Sequence, residues 1–113
     1  MIEEYSFGRI TISGQQFTSD LIIFPDGKVL DSWWRQMGHR LTFEDILPLI
    51  ETRPEVIVAG TGASGLMKPV AELTHLLARQ EIEFVASSTG KAVDIYNRLV
   101  NQKKVGACLH LTC

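Results

Sequence analysis

The stretch Gly60-Thr61-Gly62-Ala63-Ser64-Gly65 has residue types and spacing that point most directly to chemistry. Its glycines spell G-x-G-x-x-G after the apolar run Val56-Ile57-Val58-Ala59 and before a segment with helical spacing, the context in which that pattern carries meaning. Glycine backbone lets a phosphate or carboxylate come close, and amides at a helix start attract anions. A small anion is therefore expected at Gly60, Thr61, Gly62, Ala63, Ser64 and Gly65, with Lys68 as a nearby cation. The dinucleotide version of this site fails on two counts. Ala86-Ser87-Ser88 stands where an acidic residue would hold a ribose, and 113 residues leave no room for a substrate domain. No Gly-Lys-Ser/Thr follows to make a P-loop, and Leu66 replaces the last glycine of a nucleophile elbow. A tight strand-to-helix turn with close packing remains the open alternative.

The second unusual stretch is Trp33-Trp34-Arg35-Gln36-Met37-Gly38-His39-Arg40. Adjacent residues on a strand face opposite sides, so one tryptophan enters the core while the other meets a second layer, a groove or a partner. A tryptophan beside arginines suits an interface hot spot or an anion pocket. Trp33, Trp34, Arg35 and His39 are the expected interface residues, with a core tryptophan and solvated arginines as the plainer alternative.

The remaining reactive residue types form no coherent set. His75 lies off the Val70, Leu73, Leu77 stripe, and His110 shares a strand face with Cys108 and Thr112, which reads as packing. Cys108 and Cys113 have no zinc spacing, and their odd separation on an extended strand points them to opposite faces. Asp20, Asp26, Asp31, Glu44 and Asp45 are scattered through turns and a helix cap. No catalytic residue, metal ligand or cofactor is assigned.

These residues must be positioned by one α/β domain spanning 1–113. Hydrophobic residues at 45% and charged residues at 21% suffice for one modest core without metals or disulfides. A net charge of −2 without a basic run argues against nucleic acid. The apolar runs are too short to span a bilayer, and the acidic start Met1-Ile2-Glu3-Glu4 is unlike a secretion signal, so a cytoplasmic protein is expected.

The first third reads as strands. Pro25-Asp26-Gly27 should turn Leu21–Phe24 back on Lys28–Trp34 as a hairpin, with Tyr5–Ser13 as a third strand. Thr42 and Asp45 form a capping-box-like start, Leu41 and Ile46 a hydrophobic staple, and Pro48 shortens the helix that follows. Pro69 should open a second helix and Thr89 should cap a third, with Val93, Tyr96, Leu99 and Val100 as its stripe. Glu55–Gly60, Ile82–Ala86 and Val105–Thr112 complete the strands, the first two buried and parallel, the last parallel by default. The expected architecture has three layers. A central mixed, largely parallel sheet is flanked by helices, with an N-terminal β-hairpin or meander layer.

Five stretches together carry a resemblance. They are Asp20-Leu21-Ile22-Ile23-Phe24-Pro25-Asp26-Gly27-Lys28-Val29, Trp33-Trp34-Arg35 with Gly38-His39, the glycine loop, Asp94-Ile95-Tyr96-Asn97 and His110-Leu111-Thr112-Cys113. Through them the chain resembles a small α/β family that includes mitochondrial complex I assembly factor 3 and the adipogenesis-associated domain protein. The resemblance implies a three-layer fold and no established activity, catalytic residue or cofactor. The leading expectation is a non-enzymatic binding or assembly module with a protein partner or a second copy. The alternative is a small enzyme or carrier for an anionic small molecule.

Overall fold

Val56–Ala59 has no polar face to give to water, and the chain buries it at the centre of a sheet. The computed structural model describes residues 1–113. In chain order the strands are β1 (Ile2–Ser6), β2 (Arg9–Ile12), β3 (Gln15–Phe17), β4 (Leu21–Ile23), β5 (Val29–Leu30), β6 (Arg40–Leu41), β7 (Val56–Thr61), β8 (Lys68–Pro69), β9 (Glu83–Ser87) and β10 (Val105–His110). The α-helices are α1 (Leu47–Ile50), α2 (Leu73–Ala78) and α3 (Thr89–Leu99).

The main sheet is mixed, with order β5-β4-β10-β7-β9. β7 pairs in parallel with β9 and with β10, while β10 pairs antiparallel with β4. The last strand is thus parallel to one neighbour and antiparallel to the other. Every residue of β7 and β10 is buried, as two-faced burial demands. β9 is an edge strand with exposed positions at Glu83 and Ala86, and not the strand buried on both faces that its apolar run suggests.

One face of the sheet packs on α3 and on the N-terminal strands through Ile10, Val58, Tyr96 and Leu109. The other packs on α1 and α2 through Ile57, Leu49, Leu73 and Cys108. The expected hairpin is present, with Ile22 opposite Leu30 and Ile23 opposite Val29. Its second strand is short, and residues 31–39 leave the sheet. Tyr5–Ser13 is not one strand. The chain turns between β1 and β2, giving a separate antiparallel β1-β2-β3 meander.

Thr42 and Asp45 bond reciprocally, the Asp45 carboxylate accepting from the Thr42 amide at 2.9 Å and the Thr42 hydroxyl from the Asp45 amide at 3.4 Å. Leu41 and Ile46 are both buried in one cluster, as a staple requires. Pro48 lies in the first turn of the four-residue α1, after a 3-10 turn over Glu44–Ile46. Pro69 does not open α2. A residue before proline is pushed into extended backbone, and Lys68–Pro69 forms β8 beside β6, so α2 begins only at Leu73.

Candidate functional site

The loop after β7 does not run into a helix, so the helix-start amides expected there are absent. Its own amides are engaged within the chain. Ala63 donates to the Thr112 carbonyl at 2.6 Å, and Ser64 and Leu66 donate to the Cys113 carbonyl at 3.2 and 3.1 Å. Gly62 donates to the Thr89 hydroxyl at 2.8 Å, and Gly65 to the Gly62 carbonyl at 3.2 Å. The Thr89 hydroxyl donates to the His110 carbonyl at 2.6 Å and is buried, so it ties loop to strand and does not cap α3. Gly62 sits at φ +109°, and a Cβ there would strike the Cys113 carbonyl carbon. Thr61 donates to the Ser87 carbonyl, and Lys68 gives its amide to the His39 carbonyl at 2.8 Å. The glycine loop is built as a clamp around residues 112 and 113.

Trp33 and Trp34 lie outside any strand yet still part company. Trp33 is buried, its indole N–H donating to the Asp45 carbonyl at 2.9 Å, whereas Trp34 is 82% exposed. Arg35 is no surface residue, because its side chain is only 5% exposed. Its guanidinium carbon lies 4.8 Å above the Trp33 ring centroid, and its Nε donates to the Gly38 carbonyl at 2.9 Å. Arg35 therefore braces from within the segment that displays Trp34.

The acceptor for Arg35 is Asp20, at 2.9 Å through Nη2. The same carboxylate oxygen, Oδ2, lies 2.7 Å from His110 Nδ1, and Oδ1 accepts the Leu111 amide at 2.8 Å. Burial raises the Asp20 pKa, but the Leu111 amide, His110 and Arg35 outweigh it and hold the carboxyl below its usual value. An ionised Asp20 only accepts, so His110 carries a proton on Nδ1 and directs Nε2 elsewhere. Two buried polar atoms lack a partner, His110 Nε2 and Arg35 Nη1. Such atoms are expensive, and their pairing in one cluster marks the place as built for something. The His39 ring stands edge-on to His110 with centroids 5.9 Å apart. A groove of about 590 Å³ lies elsewhere, against Leu47, Ile50, Arg53 and Ile82, and it holds neither unpartnered atom.

The structure thus joins the two stretches singled out in sequence. Arg35 and His39 come from one, the Gly62–Leu66 clamp from the other, and the end of β10 lies between them. Asp20, His110 and Cys113, which spacing alone left out, complete the cluster. Asp20 and His110 stand 90 residues apart, so no local pattern links them. His110 and Cys113, three positions apart past a strand end, are the one local signal available. Cys108 is fully buried, and burial pushes its thiol up to about 12, so it takes no part. Both cysteines are free.

A conserved hypothetical protein of Pyrococcus horikoshii OT3 has a similar structure, with a TM-score of 0.87 and 26% identity over 100% of this chain and 99% of that one. An outer membrane protein of Bartonella henselae gives 0.81 and 28%, covering 99% of this chain and 94% of its own. A 13 kDa major membrane protein of Francisella tularensis is 34% identical over 62 residues. That match takes in 54% of this chain and only 49% of the relative's length. No helix here is long and apolar enough to cross a membrane. A family pattern matches residues 2–110, and by that match the chain belongs to the family described as protein of unknown function (DUF498/DUF598).

Proposed function

We propose that the chain is a non-enzymatic binding or assembly module that presents Trp34 to a protein partner. The observation that carries this reading is the contrast between a tryptophan 82% exposed and the rigid support behind it. Trp33 is bonded to Asp45, Arg35 to Asp20 and Gly38, and the Gln36 amide to the Asp45 carboxylate at 3.1 Å. An aromatic held in place before binding loses little freedom on docking, which is how hot spots gain affinity. Met37, three residues along the same segment, is also exposed. The resemblance to a family containing a respiratory-complex assembly factor supports the same reading by fold-level analogy. Two free thiols support a reducing compartment, the cytoplasm.

The test is affinity capture with wild type, Trp34→Ala and a second exposed aromatic as control, Phe7→Ala. Specific partners retained by wild type and Phe7→Ala and lost by Trp34→Ala support the surface. Identical capture by all three removes it, and light scattering shows whether the partner is a second copy.

A carrier of an anionic small molecule is the second reading, favoured by the unpartnered Arg35 Nη1. The glycine loop gives it less support, since its amides already serve Thr112 and Cys113. Thermal stabilisation by phosphate or organic acids that disappears in Arg35→Met would favour it.

A further inference from the structure

We propose that His39, His110 and Cys113 form a three-ligand site for a thiophilic divalent cation of the zinc class, with Asp20 as the carboxylate that orients His110. One nitrogen from each imidazole and the Cys113 sulfur all lie within 4.8 Å of one another. Tetrahedral zinc with nitrogen and sulfur ligands needs those atoms about 3.4–3.6 Å apart. The ligands must therefore close by roughly 1 Å, within the reach of side-chain rotation at His39 and Cys113, neither of which is buried.

The second and independent observation is His110 Nε2. The His110 side chain is only 7% exposed, and this nitrogen has no partner although Nδ1 is held by Asp20 at 2.7 Å. An imidazole that donates from one nitrogen to a carboxylate and leaves the other bare has the arrangement of a metal-ligating histidine. The carboxylate fixes the tautomer and aims the ring. Asp20 is itself fixed by the Leu111 amide and Arg35.

The backbone under each ligand is anchored as well. The His39 carbonyl accepts from the Lys68 amide, the Cys113 carbonyl from Ser64 and Leu66, and His110 ends the central strand. The clamp made by the glycine loop acquires a purpose here, because it places the Cys113 sulfur beside two imidazoles. A neutral pair of imidazoles with one thiolate suits zinc or a similar borderline ion over magnesium or calcium, which want oxygen ligands. Three protein ligands leave a fourth position, and the unpartnered Arg35 Nη1 sits on the guanidinium that braces Asp20. The guanidinium charge is matched by the Asp20 carboxylate, so it does not oppose the cation unscreened.

The site shares the Trp33–Arg40 segment with Trp34 but does not include that residue, and its test is independent of any partner. Tag-free chain, stripped with a chelator, is titrated with Zn²⁺ against a chromophoric competitor and, separately, with Co²⁺. One equivalent should bind, and the Co²⁺ form should show thiolate-to-metal charge transfer with the intense visible bands of tetrahedral coordination. His39→Ala and Cys113→Ser, at positions outside the core, should each weaken binding about 100-fold or more, and Asp20→Asn about 10–100-fold. Cys113→Ser should also abolish the charge-transfer band. No binding by the wild type, or binding that survives His39→Ala and Cys113→Ser together, overturns the site. So does a wild-type Co²⁺ spectrum without thiolate character, or fast alkylation of Cys113 by iodoacetamide without metal binding, which would mark an activated thiol instead.

Discussion

Arg35 and Asp20 meet at 2.9 Å with side chains 5% and 17% exposed, an ion pair closed off from most solvent. Breaking such a pair from one side leaves a buried charge uncompensated. Asp20→Ala should therefore cost about 3–5 kcal/mol in urea denaturation. Arg35→Lys should also lose stability, because an ammonium cannot serve Gly38 and Asp20 through one planar fork. Lysine performing as well as arginine would show that charge alone matters here.

The two adjacent tryptophans should behave as opposites. Trp33→Ala removes a buried ring, its bond to Asp45 and the surface under Arg35, at a cost of about 3–5 kcal/mol. Trp34→Ala should stay within about 0.5 kcal/mol of wild type. Thermal denaturation of both variants decides this, and a Trp34→Ala loss as large as that of Trp33→Ala would mean that Trp34 is covered in solution.

Much of this was legible in sequence, and the misses have physical causes. The buried strand Val56–Ala59, the Pro25-Asp26-Gly27 hairpin and the Thr42/Asp45 box rest on local chemistry, and each is present. The start of α2 is not legible locally because Pro69 suits both a first helical turn and an edge strand, and the partner that decides, Leu41 of β6, lies 28 residues away. The cluster was half legible. Arg35 and His39 stood out by composition, whereas Asp20 looked like one of several turn carboxylates until β4 and β10 paired and brought Leu111 and His110 to it.

Gly62 should tolerate no side chain. Its φ of +109° and the Cys113 carbonyl carbon in the way of a Cβ predict that Gly62→Ala loses at least about 2 kcal/mol. Hydrogen exchange should then quicken at Ala63, Ser64 and Leu66, whose amides depend on residues 112 and 113. Unchanged exchange at those three amides would refute the clamp.

Tyr96 gives the chain an alkaline limit. Burial raises its pKa above the ordinary 10.0. The unfolded chain thus ionises first, so the contribution of Tyr96 is complete below pH 10.0 and is lost as pH rises through the raised value. Tyr96→Phe should flatten the fall in the urea midpoint above that pH, and an identical fall in both proteins would assign it to other groups.

Strand β10 lies between β4 and β7, yet it follows both in the chain. Synthesis runs from the N-terminus, so Leu21–Ile23 and Val56–Thr61 emerge at the ribosome with no strand to separate and join them. Two edges that are buried in the finished sheet must wait until residue 110 is made, a period when aggregation competes with folding. His110 then brings the sheet and the cluster together in one step. A chain interrupted before β10 would hold Asp20, Arg35 and His39 without the strand that brings them to His110 and Cys113.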